Sequence, residues 1–484
     1  MKELNNNSLA ELPINVEIPN YRRDETTIGV VHFGPGAFHR AHQAYYFDKL
    51  LASDTNYAIA EIALHSTKLK QQIESQDNLY CLVQLDTEIK FRIIGAIKEV
   101  IYAPQSREKV SQLLASNNTK IVTTTITEKG YYLNASGDID FHNEDIIHDL
   151  ENIQDPKTIY GYLLAGLQLR KTLKSPPFVI IPCDNLPSNG KLFKRAIIEF
   201  ARRAAPDLLD QINEIEIPST MVDSITPATD DDLRLKVQSN IGIKDNWPIC
   251  REAYAQWVIE EYEGHQAIDW ARLGVTITKN LAQYERAKLR ILNGAHSAIA
   301  YFGILKGYQF VDEAMRDAEI ERFARALVFD EVIPLLAADF DLKSYADDVF
   351  RRFKNPQIKH KLRQIAWDGS KKLPVRILSS IAEASDQRLP IFNLAFAVAC
   401  WLAFIVKMNE SGEQIIDPIS DRLHEIGNAV AKTNTNGRST VEFLLHSTGI
   451  FDEALLTNPD FIGKLETAYE KAINYKEEES HEDN

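Results

Sequence analysis

Residues 26–51, TTIGVVHFGPGAFHRAHQAYYFDKLL, decide the fold. A run of β-branched residues leads into Gly34, Pro35 and Gly36, and the pattern after this turn predicts a helix. Strand, glycine-rich turn and helix in this order are typical of a dinucleotide-binding βαβ unit, whose glycines let the backbone approach a pyrophosphate. His39 stands at the place of the third glycine, so we expect the helix to lie farther from the sheet. A glycine turn between any strand and helix would look the same, and both interpretations stay open here.

The next predicted strand is YAIAEIAL, residues 57–64. In NAD-binding units of this kind, a carboxylate at the end of the second strand binds the ribose hydroxyls. This end instead carries His65, Ser66 and Lys68, without an acid. A lysine flanked by hydroxyls suits a 2′-phosphate, so the sequence predicts that NADP(H) is accepted and even preferred. The alternative is that Lys68 is a surface lysine that opens the next helix.

Three further strands are predicted at residues 122–127, 178–182 and 274–278. A helix is predicted at residues 159–173, between the first and the second of these strands. Apolar strands that alternate with helices indicate an α/β fold with a mostly parallel sheet. Ligands in such folds bind beyond the carboxyl ends of the strands, and Asn185 and Asp223 follow two such ends. Each also has an ordinary interpretation, Asn185 as a residue that caps a turn and Asp223 as a loop acid.

Residues 283–303, QYERAKLRILNGAHSAIAYFG, predict a helix from the spacing of their apolar residues. At about 100° per residue, four polar residues fall on one face, within an arc of about 140°: Glu285, Lys288, Asn293 and His296. Gly294 costs a helix interior about 1 kcal/mol relative to alanine, which suggests that a ligand or another backbone approaches closely. A polar face with apolar neighbours favours the lining of a cleft over a solvated stripe.

Strands largely disappear after about residue 280, so we expect two domains. The first is a Rossmann-like, dinucleotide-binding domain over residues 1–279, and the second is a mainly α-helical substrate and catalytic domain over residues 280–484. The polar helix lies at their junction, where a small-molecule cleft is expected. Residues 364–372, QIAWDGSKK, taken alone predict a solvated loop. Residues 390–406, PIFNLAFAVACWLAFIV, predict a buried core helix rather than a membrane span, because a proline and an asparagine shorten the apolar run.

Composition argues against several classes of protein. A net charge of −15 disfavours a nucleic-acid binder, which needs an excess of lysine and arginine. The four cysteines lie far apart without a CxxC pair, so we predict neither a metal site nor a disulfide framework. The N-terminus has no apolar segment of signal-peptide length, which fits a cytoplasmic protein. The charged residues 475–484 are expected to be frayed.

Seven motifs in order resemble the polyol-specific long-chain dehydrogenase/reductase family. They are GxGxFxRAHQA at 34–44, TITEKGY at 125–131, CDNLPxNG at 183–190, VDxITP at 222–227, QWVIE at 256–260, KxRxLNGxHS at 288–297 and DGSxK at 368–372. The resemblance implies a metal-independent enzyme that moves a hydride between NAD or NADP and a secondary alcohol carbon of an open-chain sugar alcohol or acid.

The resemblance also implies roles for individual residues. Lys288 is implied to be the general acid and base, and Asn185 and Asn293 to donate hydrogen bonds to the reacting oxygen. Glu285 is implied to pass the proton to solvent. The implied substrate contacts are Asp223, His296, Lys372 and Gln364. The glycine turn and the end of the second predicted strand supply the candidate cofactor contacts, which are Gly34, Gly36, Ala37, Phe38, His65, Ser66 and Lys68.

Within the family, the motif CDNLPxNG and residues 306–310 resemble the branch that interconverts D-mannitol and D-fructose. We therefore favour D-mannitol and D-fructose as the substrates. Gln364 instead resembles the branch that reduces fructuronate, and the extra Lys371 could bind a uronate carboxylate. Fructuronate and mannonate therefore remain the alternative. A catalytically silent nucleotide-binding protein is a third interpretation, which the retained lysine and both amides disfavour. The sequence does not indicate the oligomeric state.

Overall fold

The computed structural model describes residues 2–433 and 437–475, so the charged residues 476–484 lie outside it. The chain divides into two compact units, Met1–Leu281 and Ala282–Asn484, called here the N-terminal and the C-terminal unit.

The described residues of the N-terminal unit form twelve strands, which are β1 (Val16–Glu17), β2 (Ile28–Phe33), β3 (Ala58–Ala63), β4 (Tyr80–Leu85), β5 (Lys90–Ile94), β6 (Ile97–Tyr102), β7 (Ile121–Thr124), β8 (Val179–Pro182), β9 (Thr220–Asp223), β10 (Ile249–Glu252), β11 (Gln256–Glu260) and β12 (Val275–Thr278). The helices of this unit are α1 (Ala37–Ala41), α2 (Gln43–Leu51), α3 (Lys68–Ile73), α4 (Arg107–Ala115), α5 (Glu144–Glu151), α6 (Ile159–Leu173), α7 (Asn189–Ala204), α8 (Leu209–Glu214), α9 (Asp231–Ile241) and α10 (Trp270–Leu273).

A five-stranded, wholly parallel sheet is the centre of this unit, in the order β6-β3-β2-β7-β8. Its strands are mostly apolar and are buried on both faces of the sheet, as expected of a parallel sheet. The strand order reverses at β2, so the switch point of the topology lies between β2 and β7. In open α/β sheets, ligands bind beyond the carboxyl ends of the strands at this point.

Two smaller sheets complete the N-terminal unit. One has the order β1-β5-β4-β10, and the other, β12-β11-β9, contains the predicted strand at residues 274–278. The segment before β9 runs beside β8 in the same direction, because Ile180 N–H donates to Glu216 O (3.0 Å) and Thr220 Oγ1 donates to Pro182 O (2.6 Å). The carboxyl ends of β8 and β9 therefore lie at one edge.

His39 explains how the first helix packs without the third glycine. Its ring is fully buried and stacks on His32 of β2, with 3.4 Å between the ring centroids. Its Nε2 lies 3.3 Å from a carboxylate oxygen of Glu61 on β3. An imidazole layer thus fills the space between helix and sheet. The predicted single helix is also divided at His42, into α1 and α2.

The C-terminal unit is helical. Its helices are α11 (Leu281–Ala287), α12 (Ala295–Leu305), α13 (Val311–Ala314), α14 (Ala318–Ala326), α15 (Leu342–Phe353), α16 (Leu362–Ala366), α17 (Gly369–Leu373), α18 (Ser379–Asp386), α19 (Phe392–Glu410), α20 (Ser420–Thr433), α21 (Arg438–Thr448), α22 (Glu453–Leu456) and α23 (Pro459–Ile473). Three further segments are π-helical, Lys288–Gly294, Leu327–Val332 and Pro374–Leu378. Its described residues form no strand, apart from one bridge between Phe310 and Lys361.

Helix α19 forms the centre of this unit and packs against α12, α20 and α23. It is the one described helix that is long and apolar enough to cross a membrane, and most of its apolar window is buried inside the protein. The sequence predicted this buried helix.

The prediction of a solvated loop at residues 364–372 is wrong, because two short helices, α16 and α17, form there. The turn between them is made by Asp368 in the left-handed conformation, at φ 57°. Asp417 stabilises the start of α17 by accepting hydrogen bonds from Ser370 N–H (2.9 Å) and Ser370 Oγ (2.5 Å). A partner so distant in sequence leaves no local signal.

Three buried groups beneath α1 predict how stability depends on pH. Burial lowers the pKa of His39 to about 3, raises that of Glu61 to about 8 and holds the pKa of His32 well below 6.5. Below about pH 6.5 the unfolded chain therefore protonates two histidines that stay neutral in the fold. Between about pH 4.5 and 8 only the folded chain keeps the Glu61 proton. The contribution of these groups to stability is greatest near pH 6.5 to 7 and falls on both sides.

Replacing Glu61 by glutamine should remove the loss of stability that Glu61 causes as the pH rises above about 6.5. We expect the unfolding free energy of Glu61→Gln, relative to the unmodified protein, to rise by about 1 kcal/mol per pH unit between about pH 6.5 and 8. Urea unfolding at several pH values measures this difference. The exposed Glu88→Gln is the control and should show no such trend. A constant difference for Glu61→Gln would contradict a buried, protonated Glu61.

Candidate active site

The turn from Lys288 to Gly294 carries the predicted catalytic residues of the C-terminal unit. It is π-helical and joins α11 to α12, so the predicted arc, which assumed 100° per residue, is wrong over this turn. Because π-helical hydrogen bonds join residues five apart, Lys288 and Asn293 are brought nearer one line along the helix. Both are partly exposed, as is Glu285 one turn earlier. Such π turns are frequent at functional sites.

Gly294 lies where another backbone approaches this turn. A Cβ on this residue would lie 3.1 Å from the backbone carbonyl oxygen of Arg376, so of the two predicted reasons the structure supports a neighbouring backbone. The Arg376 side chain reaches the same turn and donates from Nη1 to Ser297 Oγ (3.1 Å), with Asn293 O at 3.5 Å. Two π-helical segments therefore pack directly on each other.

His296 follows this turn and is 8% exposed. Its ring stacks on Phe353 at 4.9 Å between centroids and meets His360 edge-on at 4.8 Å. Burial and the neighbouring His360, Arg376 and Lys372 lower the pKa of His296 well below its usual 6.5. The ring is therefore neutral at physiological pH. Its Nε2 is buried and accepts or donates no hydrogen bond within the described residues, so it can serve a substrate hydroxyl.

Lys372 and Arg376 place two cations beside His296. Burial lowers the pKa of both side chains, and each cation also lowers the pKa of His296. Lys372 Nζ donates to Ile365 O (3.2 Å), and within the described chain neither cation has a carboxylate oxygen within 4.0 Å. Arg376 is not among the residues that the sequence motifs predicted. Its spacing of four from Lys372, on one helical face, could have indicated it.

In the N-terminal unit, the loops at the ends of β7 and β8 are joined by Asp184. Its buried carboxylate accepts hydrogen bonds from Thr124 Oγ1 (2.7 Å), Thr127 N–H (2.8 Å) and Tyr131 Oη (3.0 Å). Burial raises the pKa of this carboxyl. Thr127 has φ 63°, a strained value for a β-branched residue, which the Asp184 bond stabilises. Asn185 comes next and is exposed.

Asn189 and Gly190 fix the loop that carries Asn185 against the strand that ends at Asp223. Asn189 Nδ2 donates to Asp184 O (2.9 Å), and Asn189 Oδ1 accepts from Thr220 N–H (2.8 Å). A Cβ on Gly190 would lie 2.5 Å from backbone atoms of the segment before β9. Asn189 and Gly190 of the CDNLPxNG motif therefore have structural roles. Asp223 is buried at the end of β9.

The turn after β2 fits a pyrophosphate. Gly34 has φ 89°, and a Cβ there would lie 2.3 Å from Thr125 O, so only glycine is tolerated. The space beside Gly36 is open, because a Cβ there would meet no atom nearer than 3.8 Å. The partly buried Ala37 and Phe38 begin α1 next to this space. The turn lies at the switch point of the sheet, where a dinucleotide is expected.

The remaining predicted residues are all accessible. His65, Ser66 and Lys68 are exposed after β3, and Lys68 N–H donates to Ser66 Oγ (3.1 Å). Gln364 is exposed on α16. The structure thus brings the π turn, His296 and Lys372 together. Among the described side chains, no group of three or more His, Cys, Asp and Glu could hold a metal ion.

Comparison with known proteins gives matches along nearly the whole chain. The model of the mannitol dehydrogenase Rossmann domain matches residues 28–271, and that of the mannitol dehydrogenase C-terminal domain matches residues 280–473. The uncharacterised oxidoreductase YeiQ of Escherichia coli K12 is 36% identical and covers 96% of this chain, with 96% of its own length aligned. Pseudomonas fluorescens mannitol 2-dehydrogenase, solved as a ternary complex with NAD and D-mannitol, gives a TM-score of 0.80 at 33% identity, over 98% of this chain and 97% of that one. A substrate-free D-sorbitol dehydrogenase gives a TM-score of 0.88 at 28% identity, over 97% and 99%.

The close contact at Gly190 predicts a large effect of one methyl group. Gly190→Ala should lower the free energy of unfolding by more than about 2 kcal/mol, because backbone cannot move away as a flexible side chain can. Urea unfolding measures the loss. The control is Gly463→Ala on α23, where a Cβ meets nothing within 4 Å. It should be neutral or stabilise by up to about 1 kcal/mol, and an equal response of the two variants would contradict the contact.

Proposed function

The chain belongs to the mannitol dehydrogenase family, and from that premise we propose that it transfers a hydride between NAD and the secondary alcohol of D-mannitol, with D-fructose as the ketone. The observation that carries this proposal is the π turn, whose hydrogen bonds join residues five apart and so turn Lys288 and Asn293 toward one line of the helix, just before the neutral ring of His296. These groups can move a proton, stabilise an oxygen anion and bind a hydroxyl.

Lys288 is proposed to take the hydroxyl proton during oxidation and to return it during reduction. A lysine can do this only as a neutral amine, and burial or nearby positive charge favours that form. Arg376, whose Nη1 lies 3.5 Å from the Asn293 oxygen of the same turn, is proposed to supply such a charge. Glu285, one helical turn before the base, is proposed to pass its proton to solvent.

Asn293 is proposed to donate an amide hydrogen bond to the reacting oxygen. This oxygen gains negative charge as the carbinol carbon loses its hydride, and removing one such donor typically costs about 10²–10³ in rate. Asn185 is proposed as a second amide donor, and Asp223 as the carboxylate for a neighbouring hydroxyl. His296 and Lys372 are proposed to hold further hydroxyls, with Gln364 at the edge of this group.

The cofactor is proposed to bind along the carboxyl edge of the parallel sheet, with its pyrophosphate at Gly34 and Gly36. The open space at Gly36 fits this role. When bound, the nicotinamide accepts or supplies the hydride. The exposed Lys68, at a strand end without an acid, supports the further proposal that NADP(H) is also accepted.

A second candidate function is the reduction of fructuronate, and one observation favours it. Lys372 and Arg376 are partly buried cations, and among the described residues no carboxylate pairs with either. A substrate carboxylate would form charge-assisted hydrogen bonds with them. A panel of mannitol, fructose, fructuronate and mannonate therefore decides between the two functions.

The panel should show turnover of D-mannitol with NAD and of D-fructose with NADH, measured by the absorbance of the reduced nicotinamide. Activity should survive a chelator, because no described residue cluster can hold a metal.

If fructuronate is the better substrate, Arg376→Met should lower kcat/KM for fructuronate about tenfold or more, with a smaller effect on fructose. Arg202→Met, at an exposed arginine of α7 that belongs to no proposed site, is the matched control and should change neither value. Absence of turnover with all four compounds would contradict the proposed function.

A further inference from the structure

The indole of Trp247 contacts a residue after each of the first two strands of the dinucleotide unit, Arg40 and Lys68. Trp247 lies just before β10 and is partly buried. The Nζ of Lys68 lies 5.1 Å from the ring centroid, and Cζ of Arg40 lies 5.2 Å from it. Lys68 follows the second strand of the dinucleotide unit, and Arg40 follows its glycine turn. In a unit of this kind the adenosine ribose binds near the end of the second strand.

The position of Trp247 is fixed by a buried network. Asp245 Oδ1 accepts hydrogen bonds from Trp247 N–H (2.9 Å) and Gln76 Nε2 (3.0 Å), and its other oxygen accepts from Cys81 N–H (2.6 Å). Arg40 Nη1 donates to Trp247 O (2.8 Å). Gln76 ends the helical segment that Lys68 begins. The indole and the backbone of Lys68 are therefore held by one rigid assembly.

The Lys68 ammonium forms no ion pair with a described residue. In the described part of the chain no carboxylate oxygen lies within 4.0 Å of it, since the ion pair on this helix is made by Lys70 with Glu74. An exposed lysine normally loses about 1.5–2 kcal/mol of side-chain entropy when it is ordered. A cation over an indole face is attracted to it, which reduces the number of positions that the lysine visits.

We propose that Trp247 is a positioning residue for cofactor selection, which holds the ammonium of Lys68 where the 2′-phosphate of NADP(H) binds. The inference rests on the proposed function, because it concerns the cofactor of that reaction. Trp247 lies in a loop about 180 residues after Lys68 and outside the seven family motifs. Trp247 acts through Lys68 and touches no reacting atom.

The test is the ratio of the dissociation constants of NADH and NADPH, measured by calorimetry on the full chain, so that it does not depend on turnover. Lys68→Met should weaken NADPH binding about ten- to a hundredfold and change NADH binding less than about threefold. Trp247→Leu should weaken NADPH binding about two- to fivefold, and Trp247→Phe, which keeps an aromatic face, should restore most of it. Lys70→Met, on the same helix, is the matched control and should change neither.

The double variant shows whether Trp247 acts through Lys68. If it does, Trp247→Leu combined with Lys68→Met should bind NADPH as weakly as Lys68→Met alone. Additive losses, an unchanged ratio in Trp247→Leu, or no binding of NADPH by the unmodified protein would each overturn the proposal. Failure of the proposed function is a separate result, in which both dinucleotides bind but no polyol or ketose turns over.

Discussion

The contact between Gly294 and the backbone of Arg376 is the constraint on which the catalytic turn depends. With 3.1 Å between the carbonyl oxygen and the place of a Cβ, a larger residue at position 294 would require the two π-helical segments to shift by a few tenths of an ångström. Beside this contact, Nη1 of Arg376 lies 3.5 Å from the backbone oxygen of Asn293. The π-helical hydrogen bonds turn Lys288 and Asn293 nearer to one line along the helix. A regular α-helix would separate the last two by about 140° around its axis. The π turn is therefore the local irregularity on which the proposed function depends.

The N-terminal unit also has close contacts between a glycine and a neighbouring backbone. Gly34 and Gly190 each lie against a backbone atom that leaves no room for a Cβ, at 2.3 Å and 2.5 Å. Each contact fixes a loop beyond the carboxyl end of a strand, and buried polar groups such as Asp184 complete the support. The residues proposed to meet ligands, such as Asn185, are exposed on these loops. Rigid backbone contacts beneath accessible side chains give a preorganised site, in which hydrogen-bond donors need not reorganise during the reaction.

The sequence predicted the parts of the fold that local patterns encode. Runs of β-branched residues predicted the parallel strands, and the family motifs predicted the family to which the chain belongs. Features that depend on distant partners escaped prediction. The helices within residues 364–372 rely on Asp417, and the phase of the catalytic turn relies on Arg376. Trp247 was missed because nothing in its own neighbourhood indicates that it meets Lys68.

The central claim is that the amine of Lys288 is the base for the reacting hydroxyl. Rapid mixing of Lys288→Ala with NAD and D-mannitol, and with NADH and D-fructose, tests it most directly, with the exposed Lys343→Ala as the matched control. The account predicts no measurable hydride transfer in either direction for Lys288→Ala, with an unchanged dissociation constant for NADH. It also predicts full activity for the control. A rate above about a tenth of that of the unmodified protein in Lys288→Ala would contradict the account.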